Sequence, residues 1–161
     1  MVRKNNTPKA RIGVISDTHG LVRLEAISLL KGVDLILHAG DIGTPQVLQR
    51  LSDLAPVIAV YGNNDTGKWV KDLPESKLVQ FGDVKIYVLH NLKELDLNTD
   101  VSGFHAVVSG HSHKPSIEER NGVLYVNPGS AGPRRFKLPV SMALLTVDKA
   151  TVRAELIEIS V

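Results

Sequence analysis

The sequence predicts an α/β fold, built as one mixed sheet or two packed sheets, with its helices gathered in the first half. Three observations predict it. Residues 11–62 alternate apolar strand-like runs with helical patterns, the βαβ signature of parallel strands with helical cover. The second half replaces helical periodicity with hairpin signals at Gly82-Asp83 and Asn121-Gly122. No repeat, low-complexity run or linker divides the chain.

The elements follow in order. Residues 1–9 are polar and basic and read as a flexible tail, leaving 10–161 as one domain. Arg11–Ser16 reads as a strand. Leu21–Lys31 has apolar residues at helical spacing, Leu24, Ile27 and Leu30 among them, and predicts a helix. Val33–Gly40 is the second strand. Thr44 is placed to cap, and Pro45 to open, a helix to about Leu51, with Val47, Leu48, Leu51 and Leu54 inward. Pro56–Gly62 is the third strand. Lys77–His90 reads as two strands around Gly82-Asp83, Phe104–Gly110 as a buried strand, and Ile117–Val126 as a hairpin turning at Asn121-Gly122. Residues 141–159 close the chain as a further hairpin.

Bulk properties narrow the class. At 161 residues the chain can bury a substantial core. A net charge of +2 carries no strong nucleic-acid signal. With no cysteine, disulfides and thiolate sites are excluded. The basic start lacks an apolar segment behind it, and no apolar run approaches the roughly 20 residues of a membrane span. A cytoplasmic protein is expected. A homodimer is compatible with a chain this small, although no residue demonstrates one.

The ends of the strand-like runs carry the chemistry. Asp17, His19, Asp41, Asn63, His90, His111 and His113 each follow an apolar run. In open α/β sheets, sites gather at the carboxyl ends of strands. If the strands lie side by side, these seven meet at one rim. Carboxylate, imidazole and amide donors without sulfur suit manganese first, with iron, zinc and nickel as alternatives, better than an all-oxygen calcium or magnesium site. Seven donors exceed the set of one catalytic ion, so two divalent ions are the natural count, and a carboxylate such as Asp41 could bridge them. Gly40, Gly62 and Gly110 let the backbone turn sharply beside the site.

Each piece also has an ordinary reading. An Asp after a strand is commonly a turn or cap residue. His38 and His105, inside strands, read as structural, with His38 alternatively orienting Asp41. Arg134 and Arg135 read as a solvated pair or a phosphate contact. Trp69 reads as packing or as a base-stacking platform. Five strand-end clusters in order, rather than any one residue, point to a site.

Asp17-Thr18-His19, Gly40-Asp41, Gly62-Asn63-Asn64-Asp65, His90 and Gly110-His111-Ser112-His113 closely resemble the motifs of the calcineurin-like metallophosphoesterase superfamily. The small single-domain bacterial and archaeal phosphodiesterases are the most similar branch, and share the Asn127–Ser130 "NPGS". The resemblance implies two packed mixed β-sheets flanked by helices, with two metals at the strand ends. It places Asp17, His19 and His113 on one ion, Asn63, His90 and His111 on the other, and Asp41 between them. It implies a metal-dependent phosphodiesterase acting on a small-molecule phosphodiester through a metal-bridging hydroxide, with Asn64 and Asp65 in the catalytic loop. Asn64 and Arg134 are the candidate substrate contacts. Two positions depart from the pattern. Asn91 follows His90 where many members have Gly. Asn64 stands where the phosphatases carry a histidine that can protonate the leaving group; a neutral amide cannot. The alternative expectation is a weak or inactive interaction scaffold, like the retromer subunit that resembles this family.

Overall fold

The computed structural model describes residues 9–95 and 99–161; the expected tail therefore lies outside the described residues, save for Lys9. Ten strands form two mixed five-stranded sheets. The first sheet contains β1 (Ala10–Ile15), β2 (Leu35–His38), β3 (Val57–Ala59), β9 (Ser141–Asp148) and β10 (Thr151–Glu158), in the order β10-β9-β1-β2-β3. Strands β1, β2 and β3 are parallel, joined through α1 (Leu24–Leu30) and α2 (Pro45–Ser52). The second sheet contains β4 (Ser76–Phe81), β5 (Val84–Leu89), β6 (Ala106–Val108), β7 (Ser116–Arg120) and β8 (Val123–Asn127), in the order β4-β5-β6-β8-β7. Here β5, β6 and β8 run parallel.

The period of two along each strand sorts side chains between layers. Ile12 and Val14 of β1, Leu35 and Leu37 of β2, and Ala143, Leu145 and Val147 of β9 meet Val84, Ile86 and Val88 of β5 in a core between the sheets. The alternate residues Ile15, Ile36, Met142 and Leu144 face the other way, onto Ala26 and Leu30 of α1 and Val47 and Leu51 of α2. α-Helical cover is confined to the first sheet among the described residues. The outer face of the second is closed by Tyr87, Leu92, Leu95, Phe104 and Tyr125 around Leu89, Val107 and Val123.

The three expected hairpins form with two-residue turns. Phe81 pairs with Val84, Arg120 with Val123 and Asp148 with Thr151. Asn121 and Gly122 take φ of 50° and 81°, the left-handed pair a type I′ turn requires.

Both helices differ from expectation. α1 starts at Leu24 rather than Leu21. The preceding backbone donors go elsewhere: His19 N–H to Asp41 O (3.0 Å) and Gly20 N–H to Ile42 O (2.8 Å). The buried stripe is Ala26 and Leu30, and Leu24 is 69% exposed. Thr44 holds the N-cap position of α2, but its side chain makes no capping bond. His105 precedes β6 rather than sitting in it. Its Nδ1 accepts the Lys85 N–H at 3.1 Å.

Candidate metal centre

The parallel strands of both sheets send their carboxyl ends to one edge. Backbone bonds lace the loops there together: Asp17 N–H to Gly40 O, Gly110 N–H to His90 O, and Ala131 N–H to Ser16 O. The result brings all seven predicted donors into one cluster. Asp17, Asp41, His90 and His113 are buried, and His19 is about one quarter exposed. Asn63 and His111 lie at the exposed rim.

Asp17 is held from one side. Its Oδ2 accepts the Ser16 hydroxyl (2.8 Å) and the His111 N–H (3.1 Å). Its Oδ1 faces His113 Nε2 at 3.4 Å and the Nε2 atoms of His19 and His90 at 4.0 Å. Asp41 Oδ2 lies 3.3 Å from His90 Nε2 and 3.8 Å from His19 Nε2. The imidazoles fall into two pairs, His19 stacked with His113 and His90 edge-on to His111. Asp41 Oδ2 therefore approaches one histidine of each pair. His111 Nδ1 is 3.1 Å from Asn63 Oδ1. Asp17 is shared more widely than the resemblance implied, since it groups with Asp41 and His90 as well as with His19 and His113.

The donor chemistry fits divalent ions. Four buried side-chain polar atoms lack a hydrogen-bond partner among the described residues: Asp17 Oδ1, His19 Nε2, His90 Nε2 and His113 Nδ1. All four belong to this cluster. Buried polar groups are otherwise nearly always satisfied, so a convergent orphan set is what a cation would complete. The His90 Nδ1–H donates to Ala39 O at 2.7 Å, which fixes the tautomer and presents Nε2 as a lone pair.

Without an ion, the electrostatics favour a charged Asp41–His90 pair, in which the proton on His90 stands where a cation would. Burial works against the Asp41 charge, but His90 and the backbone and side-chain amides of Asn64 outweigh it, holding the carboxyl well below the usual carboxylate range. Burial alone would lower the His90 pKa; contact with Asp41, the Ala39 carbonyl and the charge of Asp17 raise it instead.

The backbone is forced into place at the donors. Asp17, His19, Asp41, His111 and His113 all take positive φ, between 47° and 71°. Non-glycine residues seldom adopt this region, and such outliers collect at functional sites. Of the three glycines expected to turn sharply, only Gly40 has positive φ, 101°. Gly62 and Gly110 instead permit close approach: a Cβ on Gly62 would overlap the Asp41 carboxylate, and one on Gly110 would overlap Ser16 Oγ.

Asn64 and Asp65 separate. The Asn64 N–H and Nδ2 donate to Asp41 Oδ1 and Oδ2 at 2.9 and 3.0 Å, so Asn64 lies at the rim against Asp41. Asp65 is buried and points behind the cluster. Its carboxylate accepts the N–H groups of Ile42 (3.1 Å), Gly43 (2.9 Å) and Gly62 (2.9 Å). It braces the loops that carry Asp41 and Asn63. Arg134 is exposed in the loop after the "NPGS" segment, and no hydrogen bond or ion pair joins it to the cluster among the described residues. Trp69 packs against the helical core.

Supporting contacts surround the cluster. Among the described residues no hydrogen bond joins His38 to Asp41, so its expected alternative role in orienting Asp41 is not the one seen. Its Nδ1 accepts the Gly40 N–H (3.1 Å), so Nε2 carries the proton toward Thr18 Oγ1 (3.0 Å), which donates to Ile42 O (2.9 Å). Burial lowers its pKa to about 4, against the opposing pull of Asp17 and Asp65. Ser130 Oγ donates to Asp17 O at 3.0 Å, and Asn127 Nδ2 to Gly110 O at 3.0 Å. The "NPGS" turn thus buttresses the site. His38 and that turn left a signal in the sequence; Ser16 and Thr18 are too common as residue types to stand out.

Comparison with known proteins agrees with this geometry. Residues 11–150 match the profile of the calcineurin-like phosphoesterase superfamily domain. A probable metallophosphoesterase of Methanocaldococcus jannaschii is 37% identical, over 92% of this chain and 81% of its own length. A solved archaeal phosphodiesterase superposes with a TM-score of 0.75 at 27% identity, covering 91% of this chain and 99% of that one. Vps29 of Chaetomium thermophilum shares the fold, with a TM-score of 0.74 at 20% identity over 94% and 98% of the two chains. A chain whose family profile covers so much of its length, and whose strand ends gather this donor set, belongs to the calcineurin-like phosphoesterase superfamily.

Proposed function

We propose that this protein is a divalent-metal-dependent phosphodiesterase acting on a small-molecule phosphodiester. The observation that carries the reading is the orphan donor set: four buried ligand-type atoms of the cluster lack a partner among the described residues, and two of them, His19 Nε2 and His90 Nε2, face Asp41 Oδ2. Asp17, His19 and His113 would hold one ion, Asn63, His90 and His111 the other, with Asp41 between. Manganese is the first candidate, with iron, zinc and nickel as alternatives. When bound, two such ions make a water acidic enough to attack at neutral pH and neutralise phosphoryl oxygens.

The chain's own residues do the rest by holding and orienting. Ser16 and the His111 amide fix one oxygen of Asp17 and leave the other for an ion. Asn64 holds both oxygens of Asp41, and its exposed amide can also offer a hydrogen bond to the departing ester oxygen. It cannot hand over a proton there, which limits the enzyme to leaving groups that depart without a protein acid. Asp65 is a positioning residue, and Arg134 is assigned to an outlying phosphate oxygen. A cytoplasmic location belongs to the same reading.

The rival reading is a scaffold without turnover. Asn64 in the histidine position favours it, and the complete donor set counts against it. Protein reloaded with manganese should bind about two equivalents by elemental analysis and turn over bis(p-nitrophenyl) phosphate, with activity lost on chelation. Folded protein that binds no metal would overturn the reading; two bound ions without turnover would leave the scaffold.

A further inference from the structure

A cavity of about 320 Å³ opens beside the Asn63 and His90 donors. Its walls carry Tyr61, Glu75, Tyr87 and Glu94, and no lysine or arginine among the described residues. Neither glutamate has an ion-pair partner among the described residues. His90, itself 6% exposed, also lines it, and its Nε2 faces Asp41 Oδ2 at 3.3 Å, so the cavity adjoins the metal cluster. A second cavity, of about 440 Å³, lies on the other side of Asn91 and is bordered by Lys93, His111, Arg120 and Tyr125. Asn91 lines both.

A site for an anionic ester ordinarily surrounds it with positive charge. Here the lining carries two exposed carboxylates without an ion-pair partner among the described residues. They repel a second phosphate or a carboxylate and attract a cation. Tyrosine rings next to them are suited to the same charge. The volume equals about ten water molecules at roughly 30 Å³ each, ample for a short amino alcohol.

We propose that this cavity receives an amino-alcohol arm of the phosphodiester, and that the arm's own ammonium supplies the proton that Asn64 cannot. The inference rests on the phosphodiesterase reading. A primary alkylammonium is protonated at neutral pH and has three N–H donors. Two satisfy Glu75 and Glu94, and the third reaches back across two carbons to its own ester oxygen. The oxygen of the attacking water forms the new bond to phosphorus, and the bond from phosphorus to the arm's oxygen breaks. The departing oxygen takes the ammonium proton. One proton of the water restores the ammonium, and the other goes with or from the phosphate monoester. The missing histidine and the acidic wall then become parts of one device: the general acid is carried by the substrate and positioned by the protein.

The test uses the full manganese-loaded chain and three diesters: propyl 2-aminoethyl phosphate, its trimethylammonium analogue, and dipropyl phosphate. The aminoethyl diester should exceed dipropyl phosphate about 100-fold in kcat/KM, roughly tenfold of it in KM, and should release aminoethanol rather than propanol. The trimethylammonium diester should keep the KM gain and lose the kcat gain, because it has no proton to give. Glu75→Gln and Glu94→Gln should each cut the aminoethyl-to-propyl ratio about tenfold. A ratio near one in protein that turns over bis(p-nitrophenyl) phosphate overturns this inference and spares the phosphodiesterase reading. If that reading itself fails for want of any turnover, calorimetry decides: equal affinity for the aminoethyl and dipropyl diesters overturns the cavity assignment, and about tenfold tighter binding of the former upholds it.

Discussion

Asp65→Asn tests whether the site is held from behind. The wild-type carboxylate accepts three backbone N–H groups, from Ile42 and Gly62 on Oδ2 and from Gly43 on Oδ1. An asparagine is nearly the same shape but has one oxygen. Its best orientation puts that oxygen where Oδ2 was and keeps two bonds, now without charge assistance. Its NH₂ group then faces the Gly43 N–H, donor against donor. Losing one charged hydrogen bond, weakening two more and stranding a part-buried donor should cost about 3 kcal/mol in all. For a chain of this size each kcal/mol moves Tm by about 2–4 °C, so a fall of about 6–12 °C is expected. Calorimetry on metal-free protein isolates the effect from metal affinity. Turnover of bis(p-nitrophenyl) phosphate well below either transition should fall about 10–100-fold, as for other groups that orient ligands, and less than in Asp41→Asn. A Tm within about 2 °C of wild type would refute the brace. An activity loss equal to that of Asp41→Asn would show that Asp65 acts in the chemistry directly.

Four further outcomes follow from the same geometry. Asp41→Asn should abolish turnover yet leave the metal-free protein folded, because Asn64 can turn its amide to match the new partner, whereas His105→Ala should leave activity largely intact; steady-state kinetics and circular dichroism decide both. Chelating the ions should lower Tm by about 11–22 °C if both sites are held at 100 times their Kd, since each such site contributes about 2.7 kcal/mol. His38 is kept neutral, with its pKa lowered to about 4, so the unfolded chain binds the extra proton and the stability this gives is complete above about pH 6.5 and is lost as pH falls toward 4; His38→Gln should show a shallower acid loss in urea titrations at pH 6.5 and 4.5. Asn64→His should speed esters of poor leaving groups more than good ones and flatten the plot of log rate against leaving-group pKa; coincident slopes for the two proteins would remove position 64 from the departing oxygen.

What could be read in advance was what the chain cannot hide. An Asp or His at the end of an apolar run is a polar residue where a core strand should turn, and five such runs placed all seven donors that the structure brings together. Hairpins were equally legible, because Asn121-Gly122 and Gly82-Asp83 are residue types that few other backbones need. Helix limits were less so. Leu21 to Arg23 have helical spacing, but nearby backbone groups are committed to the Asp41 loop and to Thr18 O, and the Arg23 guanidinium donates to Gly132 O. That competition is tertiary and leaves no local mark. Likewise, nothing near His38 in sequence reveals Thr18 as its partner, because the contact spans 20 residues and two loops. The acidic cavity was illegible for the same reason: Tyr61, Glu75, Tyr87 and Glu94 come from four separate segments.

The strain at the donors explains why the supporting bonds are so many. Five of the donors hold positive φ, and a left-handed non-glycine residue costs about 1–2 kcal/mol. The sum, roughly 5–10 kcal/mol, is comparable with the whole stability of an ordinary domain. Such a loop cluster would relax if only its side chains were tied. It is tied instead through its backbone: Asp65 fixes Ile42, Gly43 and Gly62, His38 fixes Gly40, Ser130 fixes the Asp17 carbonyl, and Asn127 fixes that of Gly110. The donors' own orphan atoms take no part in this web. The chain therefore spends most of these hydrogen bonds on the frame and leaves those four ligand atoms bare, which is the division of labour a cation site requires.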